Sequence, residues 1–249
     1  RSGRRVALLD ADPAQKLIGP PACVTLGHGD APALSALAFT GALDPLRGWR
    51  RSVAGVGRLA AEAAGADLLV INTSGLLAGV GRRMKAAEIA AARPDLLVAL
   101  GEGADLEAAL ADHGAIPALR LVRSPLARRK GAGERRALRR EAFRAYFAAA
   151  PVWALDLHGL RLEGEPGAAE AVPGPRRLVA LADAAGRDLA LGVVLNGGAT
   201  PGGVLPLRAP RPGLPIAGLR WAPLRLDEGV AEPPGARDRR GPSPGRSRP

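Results

Sequence analysis

Up to about residue 150 the chain alternates short, unbroken apolar runs with Ala-, Leu- and Arg-rich stretches of helical period; beyond it the pattern changes. RVALLD leads into a loop containing GPP and then CVTL, and a helix is predicted from about Ser52 to Ala64. DLLVIN (67–72), a helix around Met84 to Ala92, DLLVAL (95–100), a helix from Asp105 to His113 and ALRLV (118–122) follow. Apolar strands without polar alternation, separated by amphipathic helices, predict a mostly parallel sheet with helices on both faces.

The segment 124–150 is different. From Glu134 it reads as a helix with arginines at 135, 136, 139, 140 and 144, and with Leu138, Ala142, Phe143, Tyr146 and Phe147 as a narrower apolar stripe. Such a helix suits a position over something anionic. After Pro151, LDLHGLRLEG, RRLVALADAAGRDLALGVVLN, GGVLPLRAP and IAGLRWAPLRL read as short strands broken by Gly and Pro, with DAAGRD as a hairpin connection. The expected organisation is an α/β unit over 1–150, an all-β unit over 151–231 and a basic tail over 232–249. That tail has too little apolar surface to fold and is expected to be disordered.

Composition narrows the function. The net charge of +11 is carried almost wholly by arginine, since lysine occurs only at Lys16, Lys85 and Lys130. The planar guanidinium fork suits phosphate, which points to a nucleotide or nucleic-acid ligand, although a GC-rich genome also raises arginine content. A single cysteine, Cys23, excludes an internal disulfide and a cysteine-built metal cluster, and fits a reducing cytoplasm. No apolar run of membrane-spanning length is present. The first residue is Arg1, and a strand of central character begins by Val6, so the natural start is expected upstream.

Candidate chemistry gathers at two strand ends. Asp10 and Asp12 close the first strand, where α/β proteins place carboxylates that organise a metal ion or a reacting hydroxyl; the bland alternative is a turn or capping role. Gln15 and Lys16 follow in the same loop and offer hydrogen bonds to a substrate phosphate. In INTSGLLAGVG (71–81), a strand runs into Asn72 and Thr73, and Gly75, Gly79 and Gly81 allow close approach of backbone to a ligand. His28, His113 and His158 are scattered without ligand spacing, and Ser52, Ser74 and Ser124 lack a nucleophile-elbow context. Trp49, Trp153 and Trp221 are expected to serve as packing residues.

Taken in order, DADPAQ, IGPP, FTGALDP, INTSGLLAGVG, an Arg-rich helix ending FRAYF and LVALADAAGRDLALGVVL resemble the polynucleotide 5′-hydroxyl kinase family of RNA processing, over residues 5–227. The resemblance implies a P-loop NTPase-type kinase domain over 1–150, with an Arg-rich lid at 124–150, followed by a small β domain. It implies transfer of the γ-phosphate of ATP, with Mg²⁺, to the 5′-hydroxyl end of RNA or DNA, with no membrane involvement. Asp12 matches the carboxylate that orients or deprotonates the hydroxyl, and Asp10 stands beside it, where it would assist Mg²⁺ through water. Gln15 matches the polar residue of that loop, and Thr73 and Gly75 match a turn on the RNA side of the cleft. Arg139 and Arg144 match lid positions, and Asn72 and Arg140 are placed on the ATP side. The family's Walker A loop is absent, for no Gly-Lys pair occurs in the 249 residues, and the resemblance places it upstream. Ala14 stands where the family usually has glycine, and Leu76 where eukaryotic members carry a tryptophan. An inactive RNA-binding scaffold of the same fold and a partition-type P-loop ATPase are the alternative readings.

Overall fold

Val6–Asp10 forms β1, whose alternate residues Ala7 and Leu9 are fully buried. In the computed structural model, residues 3–164, 170–200 and 202–226 are described; the tail predicted over 232–249 lies outside them. β1 is followed by β2 (Cys23–His28) and β3 (Ala33–Phe39), which run antiparallel to their neighbours. On the other side of β1 lies β4 (Leu68–Asn72), paired parallel with Asp10 opposite Asn72, so the sheet order is β3-β2-β1-β4. The antiparallel pairings at the β3 edge are a finding beyond the expected parallel arrangement, and β3 itself was not anticipated from the sequence. A second pair, β5 (Leu97–Leu100) and β6 (Ala118–Leu121), is parallel and forms its own small sheet.

Helix α1 (Trp49–Glu62) buries Ser52, Gly55, Val56 and Leu59, an i, i+3, i+4, i+7 face. Gly55 lets it lie flat: a Cβ there would come within 2.8 Å of the Ala38 Cβ on β3. Val56, Leu59 and Ala63 close one face of the sheet over Ala7, Leu9, Val24 and Leu26. α2 (Val80–Ala92) packs beside α1 and joins β4 to β5, and α3 (Ala104–Ala111) joins β5 to β6.

The opposite face is covered by α4 (Ala132–Phe147), whose Phe143 and Phe147 pack with Cys23, Leu37 and Phe39. The same cluster takes in Leu178, Ala180, Leu191 and Val193 from the C-terminal strands, so one core joins the two halves of the chain. Those strands are β7 (Val152–Asp156), β8 (Arg161–Gly164), β9 (Arg177–Ala182), β10 (Asp188–Val194), β11 (Val204–Arg208) and β12 (Gly218–Arg225), in the order β7-β11-β10-β9-β12-β8. DAAGRD does form the hairpin connection between β9 and β10: Asp183 Oδ1 accepts the Arg187 amide at 2.9 Å, and Gly186 takes a positive φ of 77°. Burying every residue of β9 follows from this placement, because Val179 and Leu181 face a second core with Leu205, Leu207 and Trp221.

Candidate active site

The parallel pairing of β1 with β4 brings Asp10 and Asn72 to one tip, where Asn72 Nδ2 donates to Asp10 Oδ1 at 2.9 Å. Asp10 is fully buried. Its other oxygen accepts the Leu17 amide at 2.6 Å and the Ile18 amide at 3.5 Å, and lies 3.2 Å from Lys16 Nζ. Lys16 Nζ also donates to the carbonyls of Asp10 at 2.9 Å and Cys23 at 3.2 Å. Burial pulls the Lys16 ammonium below the ordinary lysine range, with the Asp10 carboxylate opposing it.

This geometry bears on two expectations from the sequence. Lys16 is turned inward, with its side chain 1% exposed and its donors directed at three oxygens, so it is not placed to meet a substrate phosphate. The Asp10 carboxylate is enclosed by an ammonium, an amide side chain and backbone N–H groups. Any part it takes with Mg²⁺ would therefore run through water, and no group of three or more His, Cys, Asp or Glu that could hold a metal directly occurs among the described residues.

Asp12 stands differently. Its Oδ1 accepts the amides of Ala14 at 2.8 Å and Gln15 at 3.0 Å, closing an Asx-type turn. Its Oδ2 makes no hydrogen bond among the described residues, and the residue is only half-buried. Gln15 Nε2 donates to the Ala14 carbonyl and reaches the Arg135 carbonyl of α4 at 3.5 Å, while its buried Oε1 has no hydrogen-bond partner. The acidic loop and the Arg-rich helix therefore touch, across 120 residues of sequence.

The helix presents its arginines unequally. Arg139 is 9% exposed and shares the buried face of Phe143 and Phe147, whereas Arg140 and Arg144 are exposed and make no hydrogen bond or ion pair among the described residues. Arg139 and Arg144 are thus not a matched pair of outward cations, and Leu138, read as part of the apolar stripe, is exposed. Thr73 and Gly75 are exposed past the tip of β4, and a Cβ built at Gly75 would meet nothing within 4 Å. Leu76 sits against Gly81, where a Cβ would fall 2.8 Å from the Leu76 Cβ. Of the cavities, one of about 420 Å³ borders Gly79, Arg82 and Arg83 at the start of α2, just after this turn. Another of about 360 Å³, lined by Arg4, Arg5 and His28, lies at the opposite end of β1 and away from these residues.

Sequence reasoning missed the inward lysine and the carbonyl of Arg135. One signal was available: in a chain that uses arginine almost everywhere, two of the three lysines, Lys16 and Lys85, are buried in ion pairs. A compact ammonium reaches several oxygens in a space that a guanidinium fork does not fit.

A parallel strand pair with polar residues at its carboxyl tips, crossover helices and an Arg-rich helix against the acidic loop define an α/β protein with its candidate site at the strand ends. The chain belongs to the family described as mRNA cleavage and polyadenylation factor CLP1 P-loop, which matches residues 1–149. It is 33% identical over 170 residues to a polyribonucleotide 5′-hydroxyl-kinase of Pyrococcus abyssi, covering 65% of this chain and 48% of that protein. The kinase of the same name from Pyrococcus furiosus is 32% identical over the same length and shares of each chain. That from Methanocaldococcus jannaschii is 26% identical over 173 residues, 65% of this chain and 47% of the relative. The chain spans about half the length of these curated relatives. Two solved structures of Clp1p with Pcf11p share the fold at a TM-score of 0.67, covering 90% of this chain and 68% of theirs at 11% and 12% identity.

Proposed function

We propose that the protein is an ATP-dependent polynucleotide 5′-hydroxyl kinase that acts on RNA ends in RNA processing, in the cytoplasm. Asp12 is the group at work: its open Oδ2 accepts the proton of the 5′-hydroxyl as that oxygen attacks the γ-phosphorus. The bond to the β-phosphate oxygen breaks, and ADP leaves. The observation that carries this reading is the contact of Gln15 with the Arg135 carbonyl, which supports a single cleft between the acidic loop and α4. On the rim of that cleft Arg140 and Arg144 supply mobile positive charge for the transferring phosphoryl group, and Thr73 and Gly75 border the nucleic-acid end. Kinase names on relatives over 30% identical support the reaction class. The β strands after Pro151 belong to a second unit that carries the core under α4.

The test is transfer of labelled γ-phosphate by the full-length protein to oligoribonucleotides, and to oligodeoxyribonucleotides, bearing a 5′-hydroxyl. Wild type is expected to label RNA ends, and Asp12→Asn to lose about 10²- to 10⁴-fold in kcat, the usual worth of a positioned base. Absence of transfer, together with RNA binding that weakens steeply with salt, would replace the kinase by an RNA-binding scaffold.

A further inference from the structure

The residues between Asp10 and Ile18 are held by an arrangement that has no place in the reaction itself. Asp10 Oδ2 accepts from the amides of Leu17 and Ile18, and Asp10 Oδ1 accepts from Asn72 Nδ2 and, at 3.3 Å, from the Asp12 amide. Lys16 Nζ ties the same carboxylate to the Asp10 and Cys23 carbonyls, joining the loop to both β1 and β2. Thr25 Oγ1 adds a bond to the Ile18 carbonyl at 2.9 Å. The loop is thus fastened at its start, its end and from the neighbouring strand, and between these points Asp12 keeps one carboxylate oxygen open.

We infer that Asp10, Lys16 and the half-buried Asn72 form a positioning cluster that sets the direction of the Asp12 carboxylate, and that none of the three touches the substrate. The inference rests on the kinase reading. A carboxylate and an ammonium enclosed together are stable only as a pair, because removal of either leaves the other as a lone buried charge. The same interdependence makes the loop stiff, which suits a base whose distance to a hydroxyl must hold to a fraction of an ångström.

The cluster is tested with Lys16→Met, Asp10→Asn and the double variant in the full-length protein, by urea unfolding and by steady-state kinetics on a 5′-hydroxyl oligoribonucleotide. Each single variant is expected to lower the unfolding midpoint, and the double variant to lower it by less than the sum of the two. With Lys16→Met, kcat is expected to fall about 10²-fold, the cost of a misplaced reacting group, with KM for ATP and RNA within about twofold of wild type. A residue with a purely structural role would lower the unfolding midpoint without separating kcat from KM in this way. Additive midpoints overturn the cluster, and a rise in KM with kcat unchanged shows that Lys16 binds substrate and overturns its assignment. A wild-type protein that transfers no phosphate overturns the kinase reading and the positioning role with it, while the coupling of midpoints still decides whether the cluster exists.

Discussion

Lys16 and Arg144 carry the same charge and lie on two elements that touch, yet the structure uses them in opposite ways. Lys16 is sunk between β1 and β2 with oxygens on every side, whereas Arg144 stands in solvent with no counter-ion among the described residues. In the acidic loop nearly every polar group is satisfied from within. On α4, Arg140 and Arg144 make no hydrogen bond or ion pair among the described residues, and a protein tolerates that arrangement only where water, or an anionic ligand, completes it. Residue type alone does not separate structure from chemistry in this family; burial and the number of internal partners do.

The largest expected break in this contrast comes from inside the loop. Asp10→Ala strands the Lys16 ammonium in a buried site and is expected to cost about 3–5 kcal/mol of folding stability, measured by urea unfolding. Arg144→Ala is expected to leave the unfolding midpoint where it is and to lower phosphate transfer by about 10³-fold or more, if its guanidinium meets the transferring group. A variant of Arg144 that unfolds early, or a stable variant of Asp10, would erase the distinction between the two regions. Arg139→Ala sharpens it, because Arg139 lies on the buried face of the same helix and should lose stability where Arg144 does not.

Much of this was legible in the sequence, for identifiable reasons. β1 and β4 are apolar runs that end in polar residues, which marked them as strands of a mostly parallel sheet with polar groups at its tips. β3 was missed because ALSALAF is rich in alanine and leucine, which favour helix locally; its strand state comes from pairing with β2, where Leu37 opposes Thr25 and Phe39 opposes Cys23. The fate of Lys16 depends on partners on β1 and β2, and its carboxylate neighbour is held in turn by Asn72, 62 residues further on, so no local pattern reports it. Arg139 is the converse case. It sits four residues before Phe143 and eight before Phe147, so helical spacing alone put it on the buried face. DLLVAL and ALRLV carry the signature of strands buried on both faces, yet Val98 and Leu100 are 54% and 69% exposed, since the β5–β6 pair stands apart from the larger sheet.

A smaller effect is expected where the two halves of the chain meet. Asp188, the first residue of β10, accepts the Phe39 amide of β3 at 2.8 Å and pairs with Arg220. Burial raises its pKa above the ordinary carboxylate range, with Arg220 opposing. The folded state therefore holds this proton more tightly than the unfolded chain. The contribution is fully present below the unfolded value of about 3.9 and is lost as pH rises through the folded pKa. Stability measured across that window should fall with rising pH by less in Asp188→Asn than in wild type.

The smallest effect is expected at a surface ion pair, which a buried pair sets in contrast. Glu88 is buried between α1 and α2, accepts Lys85 Nζ at 3.0 Å and lies 3.4 Å from Ser52 Oγ. Glu107 on α3 pairs with Arg120 of β6 at the surface, with both side chains about half exposed. Solvent and salt screen the second pair, and two long side chains must be ordered to make it. Glu88→Gln leaves Lys85 enclosed without its counter-charge and should lower the unfolding midpoint clearly at any ionic strength. Glu107→Gln should give a shift that is small at low salt and vanishes in about 1 M salt, where the screening length is about 3 Å. Equal shifts for the two variants would mean that burial does not decide which charges hold this fold together.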